Sequence, residues 1–195
     1  MKYRMREKLA SIGDDSWIED EHGDKIYKVD GKAMRLRDTF ILQDMAGAEV
    51  AKIQERKLHI RDTMAIERDG KKIAEVHKRL VGLRDRLKVD LEGGGELTIK
   101  GKLTDHEYTI KGDHGKIAEI SKKWFRVRET YGVEIAEEQD DALLLAIAVA
   151  VESFTRVAAT VDVKTTVVHT TAPAEANGPY RLNVTLPGAM PPDGK

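Results

Sequence analysis

The stretch DDALLLAIAVAVESF, Asp140 to Phe154, decides the fold. Between Asp141 and Glu152 lie ten apolar residues with no polar break. Alanine and leucine favour a helix. Asp140 and Asp141 suit its first turn, Asp140 as the cap and both as complements to the helix dipole. The pattern predicts a helix over about 140–154. Some fourteen residues rise ~21 Å, short of the ~30 Å and about 20 apolar residues that a bilayer core requires. The segment is therefore not read as a membrane span. A helix apolar on every side must be enclosed by protein, and Ala142, Ala146, Ala148 and Ala150 keep it slim. A helix docked on one sheet face would keep a polar side, and this one has none.

Upstream, from Trp17 to Ala136, short alternating runs rich in Val, Ile, Tyr and Thr read as strands separated by glycine-containing turns. Four share one pattern: GDKIYKV from Gly23, GAEVAKI from Gly47, GKKIAEV from Gly70 and GKIAEI from Gly115. Their first apolar residues, Ile26, Val50, Ile73 and Ile117, lie 24, 23 and 44 residues apart, the last close to two periods. A degraded copy falls near GELTIKG, Gly95 to Gly101. A period of this length holds two short strands and their turns, although any β-meander looks loosely periodic. No helical pattern is long enough for crossovers, so neighbouring strands are expected to be antiparallel. A barrel closes their edges best. At roughly a dozen strands the lumen is too wide for wall side chains alone to fill, and the apolar helix supplies the filling. The expected fold is mainly β: an antiparallel barrel of about twelve strands around a central hydrophobic C-terminal α-helix.

Bulk composition excludes several classes. The chain has 195 residues, 34% charged and 41% apolar, with a net charge of -1. That balance gives no global bias toward nucleic acid, but residues 52–88 hold twelve Lys/Arg and six Asp/Glu, leaving the remainder at -7. A local basic surface is compatible with the near-neutral total. There are no cysteines, which removes disulfides, thiolate metal sites and cysteine nucleophiles. The charged start MKYRMREKLASIG has no apolar run behind it and does not read as a signal peptide. A cytoplasmic protein, peripheral at a membrane if it binds lipid, is expected.

Three segments carry a family resemblance: DHEYTI (Asp105 to Ile110), GKIAEISKKWFRVRETYGVEIA (Gly115 to Ala136) and ALLLAIAVAVESF (Ala142 to Phe154). FILQDMAGAEVAKIQERKL, from Phe40, fits as well. The sequence resembles the LURP-one-related family, in its bacterial form, over roughly residues 1–154. That family is similar in fold to the Tubby C-terminal domain and to phospholipid scramblases. The resemblance implies a twelve-stranded barrel around a central C-terminal helix. It implies little about activity. Tubby domains bind phosphoinositide headgroups through surface basic residues, and scramblases are membrane-attached and calcium-responsive. This chain lacks the palmitoylated cysteines and Pro-rich head of scramblases, so scrambling is not expected.

Candidate chemistry is sparse. In DHEY, Asp105, His106 and Glu107 are adjacent, and neighbours on a strand point to opposite faces, so His106 is read as structural or surface. His22, His59, His77, His114 and His169 have no partner at metal-ligand spacing. The run Glu137, Glu138, Asp140, Asp141 is read as a solvated cluster, since no calcium-ligand spacing supports it. There is no GxSxG, P-loop or GxGxxG opening a helix. EGGGE (Glu92 to Glu96) is read as a hairpin loop rather than a phosphate cradle. No enzyme, cofactor or metal is expected. Trp124 is assigned to a packed wall, with Phe125, Val127 and Tyr131 on one face and Arg126 and Arg128 on the other. Likewise Leu87, Val89 and Leu91 should face in, with Arg86 and Lys88 out.

One regularity remains. Each repeat strand ends in positive charge: Lys32, Arg56 with Lys57, Lys78 with Arg79, and Lys122 with Lys123. Lysines guard many strand ends, but a two-strand repeat would gather these on one rim. The first functional expectation is thus a non-enzymatic module binding anionic lipid headgroups or another anion through that rim. The alternatives are a structural or protein-interaction domain with no small ligand and, last, a nucleic-acid binder. The tail, 155–195, holds all five prolines. It is expected to be flexible or weakly structured, with TVDVKTTVV and YRLNVTL as weak strand signals that could pair with a protein partner.

Overall fold

The computed structural model describes residues 1–6, 16–34, 37–56, 63–78, 86–124 and 130–166, with the side chains of 32–34, 37–38, 78 and 156–166 left out of the description. Twelve strands form one closed antiparallel barrel, ordered β1-β12-β11-β10-β9-β8-β7-β6-β5-β4-β3-β2. They are β1 (Lys2–Arg6), β2 (Ser16–Asp20), β3 (Lys25–Met34), β4 (Arg37–Asp44), β5 (Glu49–Glu55) and β6 (Thr63–Arg68), then β7 (Lys71–Lys78), β8 (Arg86–Leu91), β9 (Glu96–Lys102), β10 (Glu107–Gly112), β11 (Gly115–Ser121) and β12 (Thr130–Ile135). Among the described residues a 3-10 turn, η1 (Lys122–Trp124), follows β11, and a helix, α1 (Asp141–Thr166), follows β12. The ring closes where β1 pairs with β12, with Tyr3 opposite Val133.

The sequence repeat is a hairpin. The β2–β3 and β4–β5 turns superpose bond for bond. Asp20 N–H donates to Asp24 O at 2.9 Å and Asp44 N–H to Ala48 O at 3.0 Å. In each, the aspartate Oδ1 accepts from two turn amides: His22 and Asp24, or Ala46 and Ala48. The β8–β9 turn repeats the backbone pattern through Leu91, Gly94 and Gly95, with EGGGE as its loop. In the two-residue β6–β7 turn, Asp69 and Gly70 both have positive φ, the geometry that matches the twist of the flanking strands.

Alternation puts two or three residues of each strand into the lumen. Ala51, Ala74 and Ala118, the small members of three repeat copies, all face inward and are buried. Their size leaves room for α1, whose residues from Leu144 to Val151 are at most 2% exposed. Ala142 and Leu143 at the mouth are half-buried, slightly less enclosed than the sequence pattern suggests. Leu87, Val89 and Tyr131 face in as expected.

The helix departs from expectation at its far end. It runs to Thr166, twelve residues beyond Phe154, and Thr160–Thr166 of the weak strand signal TVDVKTTVV are helical. Propagating an established helix costs little, and no glycine or proline interrupts the chain before Pro173. YRLNVTL and the rest of the tail lie outside the described residues.

Candidate anion-binding rim

In a closed antiparallel ring all odd-numbered strands run the same way. The short turns after β2, β4, β6, β8 and β10 therefore share one rim, the turn rim, and the ends of β3, β5, β7, β9 and β11 share the other, the far rim. Lys32 lies near the end of β3, Arg56 directly follows β5, Lys78 ends β7, and Lys122 and Lys123 follow β11. Five of the seven candidate positions thus stand at one rim, although they are spread over 92 residues of sequence. Lys57 and Arg79 lie outside the described residues, and for Lys32 and Lys78 only the backbone position is described.

Carboxylates already engage part of this charge. The Arg56 guanidinium donates to Glu67 Oε1 at 2.9 Å, and Lys52 reaches the other oxygen of the same carboxylate at 3.3 Å. Lys123 Nζ lies 3.3 Å from Glu107 Oε2. Ser121 Oγ donates to both Glu107 oxygens, at 2.9 and 3.1 Å, and the Lys122 amide donates to Oε1 at 3.2 Å. Burial pushes the Glu107 carboxyl up. The Ser121 and Lys123 hydrogen bonds and the Lys123 charge outweigh it and hold the group below the usual carboxylate range. The ISKK segment is thereby fixed in one conformation, with the Lys123 side chain 80% exposed.

The enclosed part of the helix is pinned at both rims. At the turn rim Asp140 caps α1, its Oδ1 accepting from the Leu143 amide at 3.0 Å. The Arg68 guanidinium grips both oxygens of that carboxylate at 2.8 and 3.0 Å, and Tyr3 Oη donates to Asp141 at 2.6 Å. At the far rim His106 Nε2 lies 2.5 Å from Glu152 Oε2, and the imidazole stacks on Tyr131 with ring centroids 4.4 Å apart. His106 is structural, as expected. It occupies the β9–β10 turn with φ +52°, however, rather than a strand. Its partner lies 46 residues away, a separation that no local spacing rule can register.

Trp124 departs from the packed wall expected for it. The strand ends at Ser121, and the 3-10 turn carries Trp124 onto the outside of the barrel, half-buried, with Lys2 Nζ 5.8 Å from its ring centroid. Phe125, Arg126, Val127 and Arg128 lie outside the described residues. Trp17, at the start of the strand-rich region, lies outside the core as well. It points outward from β2, and Lys25 Nζ sits 4.2 Å from its ring centroid. Among the described residues no group of three or more His, Asp or Glu side chains could hold a metal ion. No described helix is long and apolar enough to cross a membrane.

The profile of the LURP-one-related family matches residues 1–152. The chain belongs to this family. A solved structure of a protein from Arabidopsis thaliana is similar to it at 17% identity and a TM-score of 0.58, over 78% of this chain and 91% of that one. At such identity the likeness speaks for the barrel-and-helix fold alone. Comparison with curated protein sequences found no match. This LURP-one-related chain is therefore a twelve-stranded, Tubby-like barrel whose central helix begins at the turn rim and leaves through the far rim.

Proposed function

We propose that this chain is a non-enzymatic binding module whose far rim receives an anionic group, a lipid headgroup being the form best suited to a many-point basic collar. The observation that carries the reading is strand parity, which brings the ends of β3, β5, β7 and β11 to one rim. The opposite rim adds to it: its turns carry Glu21, Asp24, Asp69, Glu92 and Asp113, with Glu137 and Glu138 beside them.

A structural or protein-interaction role is the second reading. The pairing of Arg56 with Glu67 and of Lys123 with Glu107 favours it, since those charges are partly neutralised within the fold.

Co-sedimentation with anionic and neutral vesicles separates the two. Each basic residue at an anionic surface contributes ~1 kcal/mol, and salt screens the attraction. Binding should therefore require anionic lipid and fall with salt. It should drop sharply in the variant Lys78→Gln, Arg79→Gln, Lys122→Gln, Lys123→Gln. No wild-type binding, or equal binding by the variant, would leave the structural reading. Displacement by short oligonucleotides more readily than by anionic lipid would point to nucleic acid.

A further inference from the structure

Both tryptophans of the chain stand outside the core, half-buried, on the side of the barrel formed by β12, β1, β2 and β3. Trp17 projects from β2 between the inward residues Ser16 and Ile18. Lys25 and Lys28, from β3, place their ammonium groups 4.2 and 5.9 Å from its ring centroid. Trp124 stands at the end of η1, between β11 and β12 in the chain, with Lys2 against it. Between them β1 turns Lys2, Arg4 and Arg6 outward, since its inward residues are Tyr3 and Met5.

The carboxylates sharing this face are Glu19, Asp30 and Glu134. Glu19 is engaged by Arg4 at 2.7 Å and Glu134 by Lys2 at 3.6 Å. Lys25 makes no ion pair among the described residues. The strands of the flank β12–β1–β2–β3 thus combine two partly exposed indoles with more cations than carboxylates, while the β2–β3 turn at their edge adds Glu21 and Asp24. Indoles favour the headgroup level of a bilayer, where one part of the ring is dry and the other wet, and basic residues beside them add attraction to anionic lipid.

The helix decides the direction of approach. Glu152 meets His106 at the far rim, and the fourteen residues from Ser153 to Thr166 carry α1 roughly 20 Å further. A flat surface advancing end-on would meet this helix before it met the strand ends. Among the described residues the flank carries no such projection. The ends of β3 and β11, with Lys32, Lys122 and Lys123, border it on either side, whereas β7 stands across the barrel from β1.

We propose that the protein meets an anionic bilayer side-on, through the β12–β1–β2–β3 flank, with Trp17 and Trp124 at headgroup level and Lys2, Lys25 and Lys28 against the lipid phosphates. This rests on the anionic-ligand reading above and commits it to a membrane surface rather than a dissolved anion.

Because the chain has two tryptophans, its own fluorescence is the probe. The full chain is mixed with phosphatidylcholine vesicles containing phosphatidylserine, with and without bromine on the upper acyl chain. Emission should shift to shorter wavelength and be quenched by the brominated lipid, and Trp17→Phe and Trp124→Phe should each remove part of the quenching. Lys25→Gln with Lys28→Gln should weaken vesicle binding roughly twenty-five-fold, while Lys71→Gln, on β7 across the barrel, should leave it unchanged. Sedimentation with vesicles but unquenched tryptophan would overturn the side-on proposal and leave the headgroup reading standing. Equal weakening by Lys71→Gln would also overturn it, and absence of sedimentation would overturn both.

Discussion

Replacing Ala146 tests how tightly the barrel holds its helix. Ala146 has none of its surface exposed and lies midway along the enclosed segment Leu144–Val151. Ala146→Gly removes one methyl group, worth ~0.8 kcal/mol of burial, and forfeits about 1 kcal/mol of helix propensity, for a loss near 2 kcal/mol. Ala146→Leu forces three extra carbons into a filled lumen and should cost about 1–3 kcal/mol. Ala146→Asp places a carboxylate where the described neighbours are apolar. An unpaired buried charge costs several kcal/mol or more, enough to exhaust a typical total stability of about 5–15 kcal/mol. Ala142→Asp is the control, because Ala142 is half-buried at the mouth beside Asp140 and Asp141, and its loss should be far smaller. Urea unfolding followed by circular dichroism gives the series. A soluble Ala146→Asp variant that unfolds cooperatively near the wild-type midpoint would refute the enclosed-helix argument.

Two further outcomes follow from the same geometry. A Cβ on Gly101 would lie 2.3 Å from Glu107 O and 2.6 Å from Tyr108 Cα, at φ +145°; Gly101→Ala should therefore lower Tm by more than about 5 °C, and an unchanged Tm would mean that β9 and β10 do not approach so closely. At Asp140, burial pushes the pKa up, but the Arg68 hydrogen bond, the cap amides and the Arg68 charge outweigh it, so the folded value lies below the usual one. The contribution of this group is then fully present above the unfolded-state pKa of about 3.9 and is lost as pH falls through the folded value. Asp140→Asn keeps the cap and loses an ion pair in which the Asp140 side chain is 42% exposed, so it should cost under about 1 kcal/mol at pH 7. It should also flatten the acid limb of the stability profile, and an unaltered limb would contradict the assignment.

The fold was legible in the sequence because its two determinants are local patterns. The apolar run Ala142–Val151 admits no water-facing side, and the repeat announces each hairpin through a turn glycine and inward Ala51, Ala74 and Ala118. Strand parity then made the common rim of Lys32, Arg56, Lys78, Lys122 and Lys123 deducible before any coordinates. The end of the helix was not legible. Val157, Val161, Val163 and the surrounding threonines are β-branched and look like strand formers, yet here they continue a helix whose nucleus is fixed inside the barrel. The pairing of His106 with Glu152, and of Arg56 with Glu67, depends on which strands and which helix face meet across the lumen or the sheet. The outward turn of Trp124 depends on the Ser121–Glu107 hydrogen bonds that hold the segment after β11, and no periodicity encodes that stop.

Amide hydrogen exchange tests the central claim most directly, namely that one helix is sealed inside the closed barrel. The account predicts that the amides of Leu144 to Val151 exchange only through global unfolding, as slowly as those of the barrel strands, with an opening free energy equal to that from denaturant. Exchange of these helix amides ahead of the strand amides, under conditions where the barrel stays folded, would contradict it.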